Sequence, residues 1–257
     1  MTAIQPTGTS TARYGFSNLA RMEWLKLASL RSTWWTLAVT IAAAIGIAVG
    51  VGAQTKAHTA DVTNNILGGV APGLLLTGVL GVLVMTSEYT SGLIRSTFTA
   101  APKRSLVLAA KAAVFGTVSL VVGEIAAFAA FLAGRASLPR TITGPALSHP
   151  SVLRAVVLAG AGYCLIGLIG VGLGAIIRHT PAAVAVLVGG VYVAGTALVG
   201  LSKSAGSYGP VSIVANSLTT TQRLAHALPP WAGLGMLCLY AALVLGIGGW
   251  LLVRRDA

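Results

Sequence analysis

Catalysis needs nucleophiles, acids, bases or metal ligands within reach of one another, and this sequence sets almost none of them together. Its four histidines, His58, His149, His179 and His226, never pair at i, i+4, the spacing that would put two zinc ligands on one helix face. Cys164 and Cys238 stand singly inside apolar runs, with no C-x-x-C pair, and read as small packing residues. There is no G-x-S-x-G elbow and no G-x-x-x-x-G-K-[ST] phosphate cradle. The chain is therefore expected to be no enzyme, and to hold neither metal nor nucleotide itself.

Two features remain with chemical content. Glu124 is the one acidic residue within an apolar run long enough to span a membrane, and an intramembrane carboxylate points to function by default. It lies about 18 residues into its run, roughly 27 Å at helical rise. That spacing places it close to the outer interface, as a path residue or as a hydrogen-bonded, bundle-facing one. The second feature is the densest polar segment, Ser87 to Thr97 followed by Ala101-Pro102-Lys103-Arg104. It combines Glu88, Tyr89, Arg95 and hydroxyls with Gly92, where another backbone could come close. It is longer than a connection between two helices requires. Its expected role is a water-facing docking surface for another protein, beside the plain alternative of a solvated loop carrying topology charges.

The elements that position these residues follow from composition. Hydrophobic residues make up 55% of the 257, charged residues only 9%, and mean hydropathy is +0.85. Soluble domains carry about 25% charged residues, so lipid is the solvent that fits. The net charge of +12 is spread between apolar runs, not gathered in a patch with interleaved aromatics. It reads as headgroup anchoring, with no nucleic-acid partner. A bilayer core of about 30 Å needs roughly 20 apolar residues. Six segments qualify, near 33–53, 66–86, 106–133, 153–177, 181–201 and 231–253, giving an all-α, six-span membrane protein. Residues 1–16 read as a flexible tail, and 17–257 as one transmembrane domain. No cleavable signal is evident, so the first span is expected to act as its own insertion signal.

Six spans put both termini on one side. The side holding them carries eleven basic residues: Arg13, Arg21, Lys26, Arg31, Arg95, Lys103, Arg104, Lys111, Arg178, Arg254 and Arg255. The other carries six: Lys56, Arg135, Arg140, Arg154, Lys203 and Arg223. The positive-inside rule makes the termini cytoplasmic. From Asn18 to Leu30, Leu19, Met22, Leu25, Leu27 and Leu30 alternate with Arg21, Glu23, Lys26 and Arg31, predicting an amphipathic interfacial helix. Trp24, Trp34 and Trp35 suit an aromatic belt. The fourth span holds six glycines, from Gly160 to Gly174, for close helix packing. Val211 to Leu218 is apolar but too short to cross, which predicts a re-entrant or interfacial helix.

Three stretches together carry a family resemblance: Glu23-Trp24-Leu25-Lys26-Leu27 through Leu30-Arg31-Ser32-Thr33-Trp34-Trp35; Ser87 to Arg95 with Pro102-Lys103-Arg104 and Lys111; and Leu228-Pro229-Pro230-Trp231 leading to Arg254-Arg255-Asp256-Ala257. In this order the chain resembles type-2 ATP-binding-cassette (ABC) exporter permeases, of the compact six-span actinobacterial kind. The resemblance implies an elbow helix at 17–31 with Glu23, Trp24, Lys26 and Arg31. It implies a coupling helix around Glu88 to Ala100, with Glu88, Tyr89, Gly92, Arg95, Pro102 and Arg104 meeting the ATPase and Arg178 a second contact. It further implies a dimer, more readily homo- than heteromeric, in the bacterial inner membrane with two ABC ATPase subunits that bind the ATP and magnesium. The cargo would be a drug, antibiotic, lipid or peptide, as in multidrug efflux. A membrane anchor or sensor that recruits a cytoplasmic ATPase or regulator is the rival reading.

Overall fold

A computed structural model describes residues 15–56, 59–92, 104–193, 197, 200, 202–221 and 227–254. Among them every regular element is helical. Helix α1, Phe16–Ser29, leads into α2, Arg31–Gln54, through Leu30, whose extended backbone breaks the helical run. The Trp34 indole donates to Ala28 O at 3.1 Å and pins the corner. The short α3, Val62–Leu67, is capped by Asp61, and Gly68 and Gly69 turn the chain into α4, Val70–Thr90. A Cβ on Gly69 would press on the Ala44 carbonyl at 2.7 Å, so glycine lets this turn lie directly on α2.

Helix α5, Arg104–Ala136, has 33 residues, about 50 Å at helical rise, and so must project from a 30 Å apolar layer. Helix α6, Pro150–Ile177, starts with proline at a position whose N–H has no helical partner, and ends at Arg178 in the left-handed region at φ 60. After it come α7, Thr180–Val186, a π-helical stretch Leu187–Val193, the short α8 and α9, Lys203–Gly206 and Pro210–Ser217, and finally α10, Pro230–Arg254.

The centre is α6, packed by α4, α5 and α10. Its most apolar window is 67% buried, against 28% for α2 and 22% for α10, which therefore form the rim. Its glycines have the predicted use. A Cβ on Gly81 would strike the Gly167 carbonyl, and one on Gly170 the Gly78 carbonyl, so α4 and α6 touch backbone to backbone. On the other flank Gly172 meets Val244 of α10. The predicted short helix at Val211 to Leu218 is α9, with Ile213 and Val214 buried against Gly233 and Gly162.

Among the described residues five helices are long and apolar enough to cross a membrane. The expected fifth span, 181–201, is helical over Thr180–Val193 and switches to π geometry halfway, while 194–196, 198, 199 and 201 lie outside the described residues. The N-terminal helix turns one stripe onto the bundle. Leu19, Glu23 and Leu27 are the buried positions, whereas Leu25 is 59% exposed and Leu30 48%. The bundle-facing stripe of α1 thus contains a carboxylate, and Leu25 lies outside it.

Candidate functional site: a buried charge junction

Helix α1 delivers Glu23 and Lys26, one turn apart, to the place where α4 ends and α5 begins. Glu88 comes from the last turn of α4 and Lys111 from the second turn of α5. The Lys111 ammonium donates to Glu23 Oε2 at 2.5 Å and to Glu88 Oε1 at 2.9 Å. Lys26 donates to the same Glu88 oxygen at 2.9 Å and to Glu23 Oε1 at 3.2 Å. Two carboxylates and two ammonium groups thus close a neutral ring spanning three helices.

Burial makes this ring energetically serious. The Lys111 and Glu23 side chains are 3% exposed and Glu88 7%, while Lys26 at the rim keeps 34%. Stripping water from charges costs several kcal/mol per ion, offset only when the partners stay in place. Burial alone would lower the Lys26 pKa, but hydrogen bonds and charge from Glu88 and Glu23 outweigh it and hold it above the ordinary lysine range. Glu88 Oε2 is buried and has no hydrogen-bond partner among the described residues. Leu19 packs with Val107 and Ala110 alongside, so an apolar contact aligns the same helices.

This placement corrects the expectation for Glu88. It is not in a water-facing loop: α4 runs on through Thr90 and carries it inside. The helix stops at Gly92, whose φ of 70 is the left-handed turn that glycine allows. Arg95, Pro102 and the remainder of the expected coupling helix lie outside the described residues. Lys111 was the missed partner. By charge count it belongs with the topology charges, although a lysine five residues inside an expected apolar run is itself a signal of pairing. Trp24 and Arg31 are exposed and stay outside the ring.

Beside the ring, the other expected contact residues gather at the end of α10. Arg104 Nη1 donates to Leu252 O at 3.1 Å and Arg178 Nη2 to Leu251 O at 3.3 Å, satisfying carbonyls that a helix end leaves open. The Arg178 guanidinium sits 5.5 Å from the Tyr89 ring centre.

Glu124 is separate from both. It is 13 residues beyond Lys111 on α5, about 20 Å along the helix. Its carboxyl lies against Gly160, where a Cβ would overlap it, and its buried Oε2 has no hydrogen-bond partner among the described residues.

At the opposite end, Asp61 joins two loops. It accepts N–H bonds from Asn64 at 3.0 Å, Thr220 at 2.5 Å and Thr221 at 3.1 Å, and the Thr220 hydroxyl at 2.8 Å. These bonds outweigh partial burial and hold its carboxyl below the usual carboxylate range. Arg154 adds a bond to Thr219 O at 2.7 Å. Neither this latch nor its partner segment was visible in the sequence.

Comparison with protein-family models and with curated proteins finds no match.

Proposed function

We propose that the chain is the membrane-spanning permease subunit of an ABC exporter, which moves a hydrophobic or amphipathic substrate out of the cell with energy from separate ATPase chains. The observation that supports this best is the ring of Glu23, Lys26, Glu88 and Lys111. It ties α1 to the two helices flanking the 93–103 segment, so a push on that segment moves all three as one body. That is what an ATP-driven partner needs of a membrane subunit: a rigid cross-link at the contact, next to a bundle with two arrangements.

In this reading α1 is the elbow helix and both termini are cytoplasmic. The region of 181–201 supplies the sixth span, two copies form the path, and Glu124 is the candidate path residue. The chain provides passage and coupling, and the bond chemistry belongs to the ATPase.

The test is purification of the tagged full chain from its own host in mild detergent. The expected result is a co-purifying ABC-type ATPase whose vanadate-sensitive hydrolysis falls in Arg95→Ala and Arg178→Ala, with elution of the complex unchanged. A chain that purifies without any ATPase would refute the exporter and leave the anchor or sensor.

A further inference from the structure

Between α1 and the first third of α5 lies an open groove of about 390 Å³, within the roughly 300–1,000 Å³ of small-ligand sites. Its floor is apolar, built by Ala20 of α1 and by Ala113, Val114 and Val118 of α5. That floor runs on into the exposed face of α5. Leu120 and Val121, both exposed, follow Thr117 of the groove at the i+3 and i+4 positions.

One edge is different. Arg21 and Trp24, one turn apart on α1, both line the groove. Among the described residues the Arg21 guanidinium has neither a carboxylate nor a hydrogen-bond acceptor, and the Trp24 indole N–H donates to none. The lining contains no acid. Glu23, between them in sequence, turns the other way into the charge ring, where Lys111 and Lys26 neutralise it. The Thr117 hydroxyl donates to the Ala113 carbonyl at 2.8 Å, so it adds no open donor. Two open donors, one of them a full positive charge, thus stand at one edge of an apolar floor.

We infer that this groove is a binding site for an anionic phospholipid, with the phosphate at Arg21 and Trp24 and an acyl chain along Val114, Val118 and Val121. Charge and shape select that occupant together. A free phosphate would leave the floor bare, and a neutral alkyl chain would leave both donors unpaired. A zwitterionic headgroup brings an ammonium for which the lining has no acid. The level also fits, because an amphipathic helix at the membrane surface sets its Trp and Arg among the headgroups. The inference rests on that placement of α1 in the reading proposed above and not on transport, so a chain that held lipid but recruited no ATPase would leave it standing.

Native mass spectrometry of the full chain, relipidated with equimolar phosphatidylglycerol and phosphatidylcholine, tests it. Wild type should retain phosphatidylglycerol preferentially. Arg21→Gln should lower that occupancy about fivefold, as expected for one basic contact at a membrane surface, and leave phosphatidylcholine unchanged. Ala113→Leu, at an exposed position of the floor, should reduce both lipids by filling the groove. Arg31→Gln removes an exposed charge outside the groove and should match wild type. Equal retention of the two lipids by wild type, unchanged phosphatidylglycerol in Arg21→Gln, or an equal loss in Arg31→Gln would overturn the site. Displacement of the lipid by millimolar inorganic phosphate would overturn the lipid assignment in favour of a free anion.

Discussion

Lys111 of α5 and Glu88 of α4 meet at 2.9 Å with almost no solvent around them, although 23 residues of chain separate them. The connection between their helices is therefore fastened on its inner side by a charge pair, and Glu23 and Lys26 fasten α1 to the same point.

Removing one buried member leaves an opposite charge uncompensated, which costs about 3–5 kcal/mol. Glu88→Ala and Lys111→Met are each expected to lower the melting temperature in detergent sharply. The double variant restores neutrality and should recover part of the loss. Lys26→Met, at the solvated rim, should cost only about 1 kcal/mol or less. A Glu88→Ala protein that melts like wild type would return Glu88 to a surface role.

The Glu124 carboxyl occupies space that exists because residue 160 has no side chain. Gly160→Ala should destabilise the bundle, and Glu124→Ala should relieve much of that penalty. A double-mutant cycle should show coupling of about 1 kcal/mol or more, as for residues in direct contact. Strict additivity of the two changes would show that they do not touch.

Asp61 carries a pH signature whose sign follows from its bonds. Its folded-state pKa lies below the ordinary value of about 3.9. The stability it contributes is therefore fully present above that value and lost as pH falls through the lower, folded one. Melting of the wild type should not lose this contribution between pH 7 and 5. Asp61→Ala should lose about 1 kcal/mol across that range, allowing for partial exposure, with the gap closing only in strong acid. A gap that instead opened on acidification would contradict the bonding seen.

Orientation is open to direct labelling. After replacement of Cys164 and Cys238, single cysteines at the exposed positions Ser91 and Ser148 should report opposite sides. A membrane-impermeant thiol reagent on intact cells should modify Ser148→Cys and spare Ser91→Cys. Ser207, on the same expected outer side, is buried at 7% and would be a poor reporter. Modification of Ser91→Cys from outside would invert the bundle.

The sequence by itself determined the solvent and the element type. Runs such as 33–53 and 231–253 are apolar all round, and in lipid a backbone of that length satisfies its own polar groups only as a helix. It also marked the glycine ridge of α6 and the short apolar helix α9, because both are local patterns of residue size and hydropathy. Only the tertiary structure decided which charges are topological and which are paired. Lys111 and Arg104 look alike on a charge count, yet one is sealed between two carboxylates and the other caps a helix end. The same holds for Asp61, whose partners lie 159 and 160 residues away, and for Leu25, turned outward while Glu23 turns in. Burial of a polar side chain depends on what the rest of the chain brings to it. That is a relation between distant segments, and no local window of residues contains it.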